Sequence, residues 1–558
     1  MMRSAQKFFV VCTLALFAIL LLSCGAGDAP DFPSEDDSTP AEDTIGERLF
    51  LDTRFAEYFA EHMTSANQPL AVGDPVVSTV QSLDGPMPGP FDGQSINCRS
   101  CHFVTEFQNV PGAGNRTYAD FTTRSPIPRP MAGFTTTPRN AKQMVGSLQP
   151  HSGPTLLHLD GEFATPEDLV QATMTGRNFG WEPEQFQQAV AHVALIIRQD
   201  DGSSQLAQDR TNGWSYGTLF LGTDPAIPSD LRIPVSDRVD VSQATDPQIL
   251  ALVAKCISTY MADLLFQHDE FGRYTGSPYD VFLRINHLPV QANAGETDVQ
   301  YSQRLLGILE GLQNPQWVDG TLGSFKYHDQ PFAFGATELA GLKIFLRAAA
   351  APGGSQHAGN CASCHPAPNF SDFLFHNTGV SQEEYDAAHG SGTFLGLAIP
   401  SLAERNRNYN LYLSQTVNHP AASERFRRPV DAANPGFADL GMWNVYLNPD
   451  MPAPQAVLKQ FVCGGGQDCS IDQGLERTIA QFRTPTLRDL EDSEPYFHNG
   501  SKAKFSDVVN FYIKSSGLAR EGRLRNAASQ FNHMSLSGQD IDALVAFLRA
   551  LTEDYDDA

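Results

Sequence analysis

Positive charge is scarce in this chain of 558 residues: 38 Lys and Arg stand against 64 Asp and Glu, a formal net charge of −26. A phosphate backbone or an anionic lipid surface would be repelled, which argues against nucleic acid and acidic membranes as partners. The same acidity suits a basic redox protein, and it suits solubility equally well. Long apolar runs are missing after residue 22, so no later segment reads as a bilayer span. Strand-like alternation is weak and short throughout, which leaves a mainly α fold. Thiols number only 9, and the placement of those few carries most of the information in the chain.

Arg3 and Lys7 precede an apolar run from Phe8 to Leu22, which ends in Leu21-Leu22-Ser23-Cys24-Gly25. This is the pattern of a secretory signal, too short for a stop-transfer helix. A Cys at the cleavage point resembles a bacterial lipoprotein signal, with Cys24 lipidated at the mature N-terminus. The expected location is therefore the periplasm or outer membrane, with the lipid as the only membrane contact. Residues 24–43 are acidic, hold no Lys or Arg, and read as a solvated tether after the signal of residues 1–23.

Four thiols fall in two copies of one motif, Cys98-Arg-Ser-Cys101-His102 and Cys361-Ala-Ser-Cys364-His365. In Cys-x-x-Cys-His both thiols add to the vinyl groups of one haem, and the adjacent imidazole becomes the proximal iron ligand. Chance gives roughly 0.004 such matches at this composition. A zinc-knuckle reading would need further Cys or His pairs at ligand spacing, and there are none. Two covalently bound c-type haems are expected. Of the remaining thiols, Cys12 leaves with the signal. Cys463 and Cys469 flank a Gly-rich loop able to close a disulfide. Cys256 reads as a buried apolar residue in a helix.

The chain repeats itself. Gly46-Glu-Arg-Leu-Phe-Leu51 precedes the first motif and Gly341-Leu-Lys-Ile-Phe-Leu346 the second. After the first motif come Thr137-Pro138-Arg139-Asn140, Asp160-Gly161 and Asp168-Leu169-Val170; after the second, Thr484-Pro485-Thr486-Leu487, Asn499-Gly500 and Asp507-Val508-Val509. Each half reads as helix, haem loop, turn, helix. Ser537 is a candidate N-cap, with Asp540 three residues on, for a closing helix whose stripe is Ile541, Leu544, Val545, Leu548 and Leu551. The expected architecture is two tandem cytochrome c-like haem domains, residues 44–202 and 333–558. A largely helical insertion or third subdomain, 203–332, lies between them.

These blocks, with Phe375-His376-Asn377-Thr378-Gly379-Val380, Asp439-Leu440-Gly441, Phe482-Arg-Thr-Pro-Thr-Leu-Arg488 and Pro495-Tyr-Phe-His-Asn-Gly500, resemble the bacterial di-haem cytochrome c peroxidase and MauG family. The length and the extra segment also resemble its rubber-oxygenase branch. The resemblance implies that the C-terminal haem relays electrons to an N-terminal haem that meets the oxidant. A small donor protein, cytochrome c or cupredoxin, would supply them; a protein substrate is the alternative. It implies a sixth ligand for the second haem fourteen residues after His498, which is Tyr512; Met534, Met442 and His498 itself are the competing candidates. By the internal repeat Tyr512 corresponds to Thr173, which cannot be a strong iron ligand. No histidine lies between His102 and His151, and the family's distal-His position is Tyr118. The first haem is thus expected to be open, unless His151, His158 or Met144 reaches it.

The family's distal Gln and Glu fall at Leu169 and Phe179, and its inter-haem Trp at Leu159. Glu182 and Glu184 are nearby substitutes for the acid, and Trp181 for the Trp. Thr173, Met174, Phe179 and Trp181 would line an apolar distal pocket, with His102, Thr173 and Phe179 at the reactive centre. Hydrogen peroxide is the expected oxidant. The alternatives are a dioxygen-dependent oxygenase acting on an apolar or protein substrate, and a non-catalytic electron-transfer cytochrome or gas sensor. The family's calcium would fall on the Asn140 side chain and the carbonyls of Ser493 and Pro495.

Overall fold

The computed structural model describes residues 40–68, 79–82, 85–88, 96–102, 124–131, 133–352, 354, 357–463, 470–491 and 493–554. The signal segment, Cys24, most of the tether, Tyr118 and Cys469 lie outside the described residues. Helices dominate. The strands form two-stranded antiparallel pairs, such as Phe375–His376 with Phe482–Arg483.

Helix α1 (Ala41–Leu51) begins inside the segment expected to be tether, and Ala41, Glu42 and Asp43 are already buried. Composition alone misses this start, because the first turn of a helix favours acidic residues. The first core then gathers α2 (Pro166–Met174), α3 (Phe186–Gln199) and α4 (Asp246–Asp263). Helix α4, opened by a Thr245–Gln248 capping box, crosses α1 so closely that a Cβ on Gly46 would lie 2.1 Å from the Cys256 carbonyl oxygen and 3.0 Å from the Tyr260 Cβ.

The second core repeats that crossing. It holds α5 (Pro278–Ile285), α6 (Asp298–Gly311), α7 (Ala336–Leu346), α8 (Phe505–Arg520) and α9 (Ile541–Arg549). A Cβ on Gly341 of α7 would lie 1.9 Å from the Ala543 carbonyl oxygen and 2.8 Å from the Phe547 Cβ of α9. Ser537 and Asp540 form the expected capping box just ahead of α9.

The expected insertion is therefore divided between the two cores. Its first part completes the first unit: α4 takes the place there that α9 takes in the second. Fully buried Arg48 of α1 donates to Asp200 (2.7 Å) and the Trp214 carbonyl (2.7 Å), and lies 3.8 Å over the Tyr216 ring. The later part, α5 and α6, packs in the second unit, where Arg488 pairs with Asp280 through two 3.0 Å contacts. A further core around Trp443, Phe426 and Leu440 forms mostly from the stretch between Cys361-Ala-Ser-Cys364-His365 and Phe482, with Leu156 of the first half buried in it.

The repeat is exact in its turns. An isolated bridge joins Leu157 to Phe163 in the first half and Tyr496 to Lys502 in the second. Inside them His158 (φ 61°) and Phe497 (φ 71°) share one left-handed conformation, followed by Gly161 (φ 78°) and Gly500 (φ 64°). The Leu159 carbonyl accepts from the Arg483 N–H (2.8 Å), and the His498 carbonyl from the Asn140 N–H (2.7 Å), so each turn is bonded to the opposite half. Buried ion pairs join the halves as well. Arg139 meets Asp439 at 2.6 and 2.8 Å and Asp160 at 2.6 Å, while Arg427 reaches Glu162.

Candidate haem centres

Both Cys-x-x-Cys-His segments fold as a single 3-10 turn, Cys98–Ser100 and Cys361–Ser363. In each, the carbonyl of the first Cys accepts from the N–H of the second Cys and of the His, at 3.1 and 3.2 Å in the first half and 3.1 and 2.8 Å in the second. Asn97 secures the first turn through Ser100 and the Leu51 carbonyl; Asn360 ties the second to the Gln530 carbonyl.

The two imidazoles are held alike. His102 Nδ1 lies 2.8 Å from the Lys142 carbonyl oxygen, and His365 Nδ1 lies 2.9 Å from that of Phe370. A carbonyl accepts only, so Nδ1 carries the proton and Nε2 keeps its lone pair for a metal. Burial lowers the pKa of both rings. Burial also pushes the Cys98 and Cys361 thiols up to about 12 and Cys101 up to about 11. Protonated thiols are poor zinc ligands, since the thiolate is the metal-binding form. Two imidazoles pre-aimed for iron beside paired, partly buried thiols fit covalent haem.

His102, Cys98 and Cys101 open onto a cavity of about 540 Å³. Thr173, Met174, Phe179 and Trp181 line it, as do Leu159 and Leu169. The expected distal residues are thus brought to one space with the first motif. Trp181 is anchored by donating to the Phe55 carbonyl (3.3 Å). Of the candidate extra ligands, Met144 and His158 border the cavity. The His158 Nδ1 is engaged by Glu162 at 3.0 Å. His151 does not border it: its Nε2 meets Thr155 at 2.7 Å and its ring stacks on Phe373 at 3.8 Å.

Glu182 and Glu184 are exposed and do not line the cavity, so the substitute acids expected from nearby sequence are misplaced. Glu182 is spent on a capping box with Gln185. The acids that do line the cavity are Glu162 and Glu424. Glu424 arrives from the second half, where no local pattern pointed to it.

At the second motif, Tyr512 lies in α8 against Phe531, with ring centroids 6.1 Å apart. Burial and the neighbouring Cys364 and Cys361 sulfurs raise its pKa. Met534 is buried in the same small cluster. Met442 belongs to the separate Trp443 core, away from the Tyr512 cluster, and His498 is stacked on Phe482 at 3.6 Å, where it faces Asp439 and Arg139. Burial pulls the His498 imidazole down to about 3, so it stays neutral.

Asn140 and Pro495, two of the three expected calcium residues, do meet: Asn140 Nδ2 lies 2.6 Å from the Pro495 carbonyl oxygen. Asn140 Oδ1 is buried without a hydrogen-bond partner. Turning the amide over would present Oδ1 and the Pro495 carbonyl together, a pair of hard oxygen donors. The Ser493 hydroxyl donates to Gln143 Oε1 at 2.6 Å.

No family model matches the chain. Cytochrome-c peroxidase IdrP2 of Pseudomonas sp. strain SCT is 39% identical over 194 residues, 35% of this chain and 36% of that protein. Cytochrome-c peroxidase IdrP2 of Denitromonas iodatirespirans is 26% identical over 198 residues, 35% of this chain and 36% of the relative. The chain thus matches little more than a third of the length of these curated relatives. Among solved structures, a MauG-like protein associated with microbial copper homeostasis aligns over 95% of this chain and 96% of that one, at 14% identity and a TM-score of 0.41. The diheme peroxidase BthA from Burkholderia thailandensis aligns over 94% and 88%, at 16% identity and a TM-score of 0.36. By sequence the chain is similar to cytochrome c peroxidases, the family its motifs resemble.

Proposed function

We propose that this protein is a di-haem c-type oxidoreductase that reduces hydrogen peroxide at its first haem. The observation that carries the reading is the asymmetry between two matching motifs. Both imidazoles offer a free Nε2, and the first motif borders a 540 Å³ cavity. Where the second half has Tyr512, the first has Thr173.

Cys98, Cys101 and His102 would hold the first haem, and Cys361, Cys364, His365 and Tyr512 the second. Haem supplies the redox chemistry; the chain's own residues orient the ligating rings, exclude water and move protons. Thr173, Phe179 and Trp181 shape the first cavity. Asn140, Pro495 and Ser493 are the candidate calcium residues at the junction of the halves. A small one-electron donor protein is the proposed partner. The signal-like N-terminus supports a periplasmic or outer-membrane location with lipid at Cys24.

Mixing the purified protein with hydrogen peroxide and reduced cytochrome c is expected to reoxidise the cytochrome rapidly, and pyridine haemochrome analysis to return two c-type haems per chain. Absence of peroxide turnover together with a stable dioxygen complex would replace the peroxidase by an oxygenase.

A further inference from the structure

Peroxide cleavage requires a base that takes a proton from one oxygen and returns it to the other as that oxygen leaves. The sequence positions expected to supply it hold Leu169 and Phe179, and Glu182 and Glu184 are exposed and do not line the cavity. We propose that Glu424, delivered from the opposite half of the chain, is the acid–base group of the first haem cavity; this rests on the peroxidase reading above.

Glu424 is 3% exposed and borders the same cavity as His102, Thr173 and Phe179. Its Oε1 accepts from Arg177 Nη1 (3.2 Å) and from the Gln415 N–H (3.1 Å). Its Oε2 is buried and has no hydrogen-bond partner. A buried carboxylate oxygen is costly to leave unpaired, so one that persists at a cavity wall is a candidate for use. Arg177 belongs to the short turn Arg177–Phe179, so this ion pair ties Glu424 to the turn that carries Phe179. The backbone is spent on this placement as well: Glu424 adopts φ 53°, a conformation a non-glycine residue takes at a cost.

The charged and titratable groups around it come from both halves. Arg177, Arg427 and Arg428 are positive, Tyr409 is close, and Glu162 with His158 stands beyond Arg427. In the proposed step Glu424 accepts the proton of the oxygen that remains and passes it to the departing one. The O–O bond breaks and one water leaves. Two electrons from the one-electron donor protein, with two protons from solvent, complete the reduction of one peroxide to two waters.

The test uses the holoprotein with Glu424→Gln and Glu424→Asp. Hydrogen cyanide must lose its proton to bind ferric haem, so its association rate reports a local base without any turnover. Glu424→Gln is expected to slow that rate more than about tenfold and to lower peroxide kcat/KM about a hundredfold or more. Haem content should be unchanged, and Glu424→Asp should recover part of both rates. Wild-type rates in Glu424→Gln overturn the assignment, as does a defect that Glu424→Asp does not relieve at all, which would make Glu424 only a prop for Arg177. A wild-type protein that shows Glu424-dependent cyanide binding but no peroxide turnover sinks the peroxidase reading and keeps the base. A wild-type protein that binds no cyanide overturns both.

Discussion

The candidate haem residues follow the shortest-range rules in the chain. Two thiols and a ring that are to meet one macrocycle have to be close in sequence, which is why Cys98 to His102 and Cys361 to His365 stand out as candidates from spacing alone. The Nδ1 anchors were not legible in the same way: backbone carbonyls of Lys142 and Phe370 do the work, and a carbonyl has no sequence signature. Tyr512 stands between these cases. Its position follows from the family resemblance, and the structure sets it beside the Cys361 and Cys364 sulfurs, with Met534 in the same cluster. If Tyr512 is the sixth ligand, Tyr512→Phe converts the second haem from low to high spin in the ferric EPR spectrum. The high-spin signal of the first haem should persist in that variant and be lost or altered in His102→Ala. A Tyr512→Phe spectrum identical to wild type would move the ligand role to Met534.

At the scale of elements, the repeat rests on two helix crossings, each built on a missing side chain. Gly46 and Gly341 occupy the same place in the helix before each haem motif, and each lets another helix's backbone approach. The sequence showed both glycines and one partner, α9. The other partner, α4, also reads as helical, but it sits so far along the chain that it looks like part of an insertion. Contact with Gly46 is what assigns it, and sequence distance concealed that contact.

Magnitudes make this testable. In an exposed helix interior, Gly→Ala stabilises by about 0.5–1 kcal/mol through backbone entropy. Gly307 in α6 has no atom within 4 Å of its would-be Cβ, so Gly307→Ala should gain that amount. Gly341→Ala drives the same methyl to 1.9 Å from a carbonyl oxygen that cannot retreat without moving α9. Overpacking of this kind costs about 1–3 kcal/mol, which outweighs the propensity gain. Urea unfolding should therefore move in opposite directions for the two variants.

On the scale of the whole molecule, the two halves that carry the Cys-x-x-Cys-His motifs are joined by charge buried between them. Arg139 bridges Asp160 of its own half and Asp439 of the other. A pair of this sort is weak evidence of net stability, because desolvation offsets the attraction; removing Asp439 leaves Arg139 with Asp160 alone, which costs less than the about 3–5 kcal/mol of stranding a buried charge outright. Burial works to raise the Asp439 pKa, but the Arg139 guanidinium holds the carboxyl below its ordinary value. The folded state therefore binds the proton less readily than the unfolded chain. The pair's contribution is complete above the unfolded value near pH 4 and disappears as pH falls through the depressed native one. Asp439→Asn abolishes that titration. The stability gap between wild type and Asp439→Asn should be constant at pH 6 to 8, no more than about 3 kcal/mol because Asp160 still faces Arg139, and should close steadily below pH 4. A gap that stays open in acid would show that Asp439 acts through packing, and that the junction of the two halves does not depend on its charge.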